Sequence, residues 1–193
     1  MEKISYLTGN DLNNVELVDA KIEGYYDYFE IENSVINNCD FSASNLQGVD
    51  ITNVTINSSN FSNVDLTERS YKNVIFTDCT LVGVDFAGSF VENVEFNNCN
   101  LMYSNFSGCN LKKVKFLACK IDDASFNEVK WKDLSFIDSS MKEVEFFKTS
   151  LKGLDVSTSD ISGLKVNLDS LKGMIVNYNQ ALDLSLLLGI KIK

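Results

Sequence analysis

Five cysteines are the side chains best suited to chemistry in this chain of 193 residues. Cys39, Cys79, Cys99 and Cys119 are separated by multiples of twenty residues, and Cys109 falls midway between two of them. A row of thiols could hold a soft metal or supply a nucleophile, but each role needs a partner. No CxxC spacing occurs and the chain has no histidine, which removes the commonest zinc partner and the usual base. The cysteines alternate with Ser and Ala in one small-residue place of the pattern, so they read as structural thiols of a reducing compartment. Asp122 and Asp123 form too ordinary a surface pair to serve as an acid and base. No glycine-rich phosphate loop occurs, since the glycines between 31 and 176 all keep to one turn place of the pattern. No enzyme, metal site or cofactor is expected.

The elements that would position any such residue follow an unusual period. From Ile31 to Val176 every fifth residue is apolar, through thirty consecutive positions that include Phe76, Phe86, Phe96, Phe106, Phe116, Phe126, Phe136 and Phe146. A period of five fits neither a helix nor a strand, so it marks a repeat. Two residues before each centre stands a small or compact side chain, with Arg69 and Asp169 as the two charged exceptions. Arg69 is expected to bulge its wall or to lie across it towards Glu68 or a neighbouring coil. Two residues after each centre, between 33 and 173, Gly, Asn and Asp fill 18 of 29 places. Those residue types tolerate positive φ or bond their own backbone, so this place reads as a turn corner. A chain that turns every five residues and keeps two side chains per side inward is a solenoid with flat walls. On top of it lies a ten-residue beat, in which the small inward place alternates between Val, Leu or Met and Ser, Cys or Thr. That beat reads as large and small filler on alternate walls.

Composition bounds the rest. The chain is 45% apolar and 23% charged, with no proline, which suits a folded protein whose coils pair with their neighbours. No run of about eighteen apolar residues occurs, so no membrane span is expected. The start, Met1-Glu2-Lys3-Ile4, lacks the layout of a signal peptide, and a cytoplasmic location is expected. The net charge of −10 is uneven: residues 1–100 sum to −12 and residues 101–193 to +2. Such a balance argues against nucleic acid as a direct ligand and points to a basic partner.

The organisation has three parts. Residues 1–30 form an N-terminal cap and irregular first coil, because the step from Ile22 to Ile31 is nine residues and the register slips by one. The aromatic cluster Tyr25, Tyr26, Tyr28 and Phe29 sits at that slip, either covering the coil beneath or offering a patch to a partner. Residues 31–176 are the repeat array. Residues 177–193 read as a short helix, capped by Asn177 or Asn179 at its start and by Gly189 at its end. That helix is apolar nearly all round and needs burial on more than one side. The last coil covers one side; a second copy of the same end, or nothing beyond an end cap, accounts for the other.

The five-residue pattern resembles the pentapeptide-repeat family, which implies an all-β fold: a right-handed quadrilateral β-helix of twenty residues per turn. Phe76, Phe96, Phe116 and Phe136 would then stack in one column, and Phe86, Phe106, Phe126 and Phe146 in the opposite one. The tail, with Gln180-Ala181-Leu182 and Leu187-Leu188-Gly189-Ile190, is similar to that of the Qnr and MfpA group of quinolone-resistance pentapeptide proteins. The resemblance implies a homodimer joined at its C-terminal ends, here through Met174, Leu182, Leu184, Leu186, Leu187, Leu188 and Ile190. It further implies a rod that imitates DNA and binds DNA gyrase or topoisomerase IV. The projecting loops that Qnr proteins carry have no room in this unbroken spacing, as in MfpA. On two adjacent walls, outward acids are the candidates for enzyme contact: Asp65, Glu68, Asp85, Glu128 and Glu145 on one, and Asp40, Asp122, Asp123, Glu143 and Asp160 on the other. Lys112, Lys113, Lys130, Lys132, Lys152 and Lys172 fall on a third wall, which should face away. The competing reading is a rigid scaffold for an unrelated protein partner.

Overall fold

The computed structural model describes residues 1–5, 11–26 and 29–191. It is a parallel β-solenoid closed by one short helix. The five-residue period builds it directly. Of the 29 places expected to be corners, 26 have φ between 48° and 99°; only Ala43, Thr158 and Leu168 do not. Glycine fits this conformation without strain, yet Ser58, Glu68, Tyr103, Lys113, Ala118, Glu128, Glu143 and Lys148 adopt it as well. The sharpness of the bend, imposed by coil closure, therefore outweighs local preference at those eight places.

Between corners, all but four of the thirty apolar centres are buried; Trp131, Val166, Leu171 and Val176 are half-buried. Successive coils lie in register at twenty residues. Strands β8 (Asp50–Asn57), β9 (Ser70–Thr77), β10 (Phe90–Asn97), β11 (Asn110–Leu117) and β12 (Lys130–Ile137) pair in sequence, setting Phe96 on Phe76 and Phe116 on Phe96. Rings in that column are 4.8–4.9 Å apart and 5–8° from parallel. The column of Phe86, Phe106, Phe126 and Phe146 stacks at 4.8–5.3 Å. The two columns meet edge to face across the core at 5.5–6.3 Å, an arrangement that adds about 0.5–1.5 kcal/mol per aromatic pair to the burial itself.

Each long strand bends across two walls. The other two walls are turns, tied to their neighbours by single bridges such as Asp65 to Asp85 and Asn100 to Lys120. The four sides are thus two of strand and two of turn.

The ten-residue beat has a cause that filler volume does not supply. Small inward residues at every tenth place donate to the carbonyl of the centre in the preceding coil: Cys109 Sγ to Phe86 O at 3.0 Å, Thr149 Oγ1 to Phe126 O at 2.7 Å, and Cys119 Sγ to Phe96 O at 3.2 Å. The hydroxyls also accept a backbone N–H from the coil before, as Ser139 Oγ does from Cys119 and Thr149 Oγ1 from Val129, both at 3.0 Å. Buried main-chain groups without partners are costly, so the beat follows hydrogen bonding more than volume.

At the N-terminal end, β2 (Asp11–Asn13) and β3 (Val15–Val18), after β1 (Glu2–Ile4), pair with β5 (Glu30–Glu32) and β6 (Val35–Asn37) at an offset of nineteen. Strand β4 (Lys21–Tyr25) takes up the missing residue against β7 (Asp40–Asn45), where the register shifts between Lys21 and Glu23. Phe29 is buried with the Tyr26 ring edge-on at 5.6 Å, and Tyr25 is exposed; Tyr28 lies outside the described residues.

Two expectations are corrected. Arg69 does not bulge its wall: its N–H donates to Ser89 Oγ and its carbonyl accepts from Phe90, as at regular places. Its side chain is half-exposed and forms no ion pair with Glu68 or another acid among the described residues. Asp169 does not point inward; it is exposed on a 3-10 turn, Leu168–Leu171, where the last coil loosens.

The closing helix α1 (Tyr178–Ser185) begins with a capping box in which Asn177 accepts from the Gln180 N–H and Gln180 accepts from the Asn177 N–H. The buried Gln180 amide then donates to the carbonyls of Val156 and Ser159 at 2.9 and 2.6 Å, satisfying acceptors of the terminal coil. Leu186–Leu188 continue as a 3-10 turn that ends at Gly189 with φ 73°.

Candidate functional site

The acidic candidates all fall on the two turn walls, and a local motif explains how. On the turn walls, an aspartate one residue before a centre folds its carboxylate over the next turn when Ser or Thr stands one residue after that centre. On a strand wall Asp50, before Thr52, accepts instead from the Ser70 N–H. Asp40 Oδ1 accepts from the Ser42 N–H and hydroxyl at 3.0 and 2.7 Å. Asp65 accepts from Thr67 in the same way at 3.0 and 2.7 Å, and Asp160 from Ser162 at 3.0 and 2.6 Å. At Asp85 only the backbone donor of Ala87 remains, at 2.9 Å. Hydrogen bonds to the ionised form favour it, and the Ser42 and Ser162 donors hold the carboxyls of Asp40 and Asp160 below the usual range. One oxygen of each carboxylate is fixed by its turn.

Coil stacking decides which acids share a column. Asp65 and Asp85 are bridge partners, and the column continues through Asn105, Ser125 and Glu145 to Lys165. The adjacent column runs Asp40, Asn60, Thr80, Asn100, Lys120, Ser140, Asp160. Glu68, Asp123, Glu128 and Glu143 sit on left-handed corners, and all four are exposed. The carboxylates therefore do not form an unbroken ladder.

Several candidates are engaged. Asp122 is buried, and it accepts from the Ser140 hydroxyl at 2.5 Å and the Lys142 N–H at 3.0 Å; it ties one coil to the next and, against expectation, does not project. Glu128 pairs with Lys148 at 2.8 Å, which holds its carboxyl below the usual range. Glu143 and Glu145 share Lys165 at 3.6 and 3.7 Å, and Asp160 meets Lys142 at 3.4 Å. Asp40, Asp65, Glu68, Asp85 and Asp123 have no lysine or arginine within ion-pair distance among the described residues. Four of these five belong to the first hundred residues.

The pairing lysines could not be foreseen along the chain, since partners about twenty residues apart meet only across a coil. The turn motif could have been read in part: Asp-x-Ser or Asp-x-Thr about a centre occurs at 40–42, 50–52, 65–67, 155–157 and 160–162, and only the strand-wall example at 50–52 lacks the turn bond.

At the other end, the residues expected to join two copies divide into two sets. Met174 and Leu184 pack against their own core, and Leu182 is half-buried. Leu186, Leu187, Leu188 and Ile190 are 44–62% exposed. A cleft of about 700 Å³ between α1 and Phe147, Leu164 and Val166 flanks the helix on one side, and one of about 380 Å³ beside Leu171 and Met174 flanks it on the other.

All five cysteines are buried. Burial pushes the Cys109 thiol up to about 12. Among the described residues no group of three or more Cys, Asp or Glu is arranged to hold a metal ion, and no helix is long and apolar enough to cross a membrane.

Known proteins share the repeat. One family model, described as a pentapeptide repeat region, matches residues 60–126, and a second, pentapeptide repeats in eight copies, matches residues 34–78. No curated protein sequence matches the chain. Among solved structures, full-length QnrB1, a plasmid-mediated fluoroquinolone resistance protein, is 22% identical over 93% of this chain and 100% of that one, with a TM-score of 0.35. HetL, a pentapeptide repeat protein involved in heterocyst differentiation regulation from the cyanobacterium Nostoc sp. strain PCC 7120, is 11% identical over 86% of each chain, with a TM-score of 0.25. A pentapeptide repeat protein from the thylakoid lumen of Arabidopsis thaliana is 19% identical over 50% of this chain and 68% of that one, with a TM-score of 0.35. Residues 34–126 thus match pentapeptide-repeat models in two overlapping pieces, and the twenty-residue coil seen directly shows the same repeat.

Proposed function

We propose that this chain is a DNA-mimicking protein that binds a type II topoisomerase, DNA gyrase or topoisomerase IV, and modulates it or protects it from fluoroquinolones. It acts without enzymatic chemistry or cofactor, in the cytoplasm, and touches the enzyme and not the nucleic acid. The observation that carries this reading is the set of fixed, unpaired carboxylates on the turn walls of the N-terminal coils. Asp65 and Asp85 stand one coil apart, with Asp40 on the adjoining wall, each held by its own turn. Rigid acids presented to a basic groove gain attraction without losing side-chain entropy on binding. The paired acids Glu128, Glu143, Glu145 and Asp160 contribute less, because each must first release a lysine. The exposed leucines of the tail favour a two-fold homodimer through the C-terminal ends, burying Leu186, Leu187, Leu188 and Ile190 and leaving the acidic coils at both tips.

Gyrase supercoiling with and without ciprofloxacin tests the reading. The wild-type protein should inhibit supercoiling or preserve it against the drug. Asp65→Lys/Asp85→Lys should abolish the effect, and Glu128→Lys should weaken it far less. An unchanged effect in the double variant would remove the acidic turn walls from the interface. The second reading, a rigid scaffold for an unrelated protein, draws its support from the lysine wall.

A further inference from the structure

Among the described residues some lysines are paired with an acid and others are not. Lys112 pairs with Glu92, Lys115 with Glu95, Lys148 with Glu128, Lys142 with Asp160, and Lys165 with Glu143 and Glu145. Each of these pairs joins residues about one coil apart, whereas Lys3, Lys72, Lys113, Lys120 and Lys191 have no acid within ion-pair distance among the described residues. On the wall that contains Trp131, register places Lys132 directly beside Lys112, and Lys152 and Lys172 follow in the next two coils. Lys130 flanks them. Lys130, Lys132, Lys152 and Lys172 are exposed and have no acidic partner within ion-pair distance among the described residues. Like charges in register on adjacent strands destabilise a sheet, and they stand here in a protein of net charge −10.

The centre of this wall departs as well. Every centre from Ile31 to Phe126 is buried, whereas Trp131 is only half-buried, its indole N–H donating to Ser150 O at 2.7 Å. A cleft of about 730 Å³ opens beside the ring, lined by Lys130, Lys132, Lys148 and Lys152, with Asp133 as its one acid.

We propose that this wall is a docking surface for a short acidic peptide segment of a partner protein, seated across Lys132, Lys152 and Lys172 with Trp131 beneath it. Charge complementarity selects the occupant. From Lys132 to Lys172 is two coil steps, about 10 Å, which is the reach of about three extended residues. A longer polyanion would run off the basic stretch, because the same wall carries Glu30, Glu32 and Asp50 in the earlier coils. Duplex DNA, with a charge per about 1.7 Å of axis, would also meet the field of the whole acidic rod.

Trp131 is the only tryptophan, so its emission reports on the site directly. Hexaglutamate titrated at low salt should produce a saturable change that fades at high salt. Lys132→Glu/Lys152→Glu should weaken it on the order of tenfold or more, and Lys115→Gln, on a lysine paired with Glu95, should leave it unaltered. Unchanged melting curves would show that the exposed substitutions spare the fold. The proposal is overturned if hexaglutamate produces no change, if the double variant binds it equally well, or if duplex DNA binds as tightly as the peptide. Self-association that the double variant loses would overturn it in favour of a second copy of this chain.

Discussion

Two serines, both buried at inward places, should respond in opposite ways to the same substitution. Ser139 Oγ accepts from the Cys119 N–H at 3.0 Å and donates towards the carbonyls of Ile137 and Phe116 at 2.9 and 3.4 Å. Ser139→Ala leaves a buried N–H without an acceptor and two carbonyls short of a donor, a loss of about 1–3 kcal/mol. Ser104 Oγ is buried with no partner, so Ser104→Ala removes an unsatisfied hydroxyl and should be neutral or stabilising by up to about 1 kcal/mol. Urea unfolding followed by far-UV circular dichroism measures both, and thermal midpoints should separate by several degrees, at about 2–4 °C per kcal/mol for a chain of this size. Equal losses in the two variants would refute the claim that the ten-residue beat exists to bond the coils.

Other outcomes follow from the same geometry. Cys109, its thiol raised to about 12, should resist a thiol reagent at pH 8, where roughly one in ten thousand is ionised, and react on unfolding; prompt labelling of the native protein would contradict the packing. Because its folded value lies above the unfolded one, its stabilising contribution is complete below about pH 8.5 and declines as pH rises towards 12. Asp40 and Asp160 are shifted the other way, so they stabilise above about pH 4 and lose that contribution as pH falls through their lowered values. Asp40→Asn/Asp160→Asn should therefore flatten the acid limb of a stability profile, and an unchanged limb would remove the turn bonds as its cause. Leu187→Asp/Leu188→Asp should convert a dimer to a monomer in sedimentation without altering the circular dichroism spectrum; a variant that stays dimeric would place the contact elsewhere.

Much of the fold was legible because the structure repeats as often as the sequence does. Each centre from Ile31 to Phe126 is buried and nearly every corner is left-handed, since a turn every five residues is a local property of the chain. The slip between Ile22 and Ile31 and the cap at Asn177 were equally local, and the structure contains both. The candidate site was legible only as far as which wall each acid occupies. Whether an acid is free depends on what lies about one coil away: Lys148 claims Glu128 and Lys165 claims Glu143 and Glu145, and Asp122 turns to Ser140. Those partners have no meaning along the chain until twenty residues close one circuit. Periodicity alone determined the walls, the corners and the core of this protein. Tertiary closure decided which carboxylates stay unpaired, which lysines stand alone, and why serine and cysteine recur at every tenth place, because each of those depends on a hydrogen bond or ion pair between neighbouring coils.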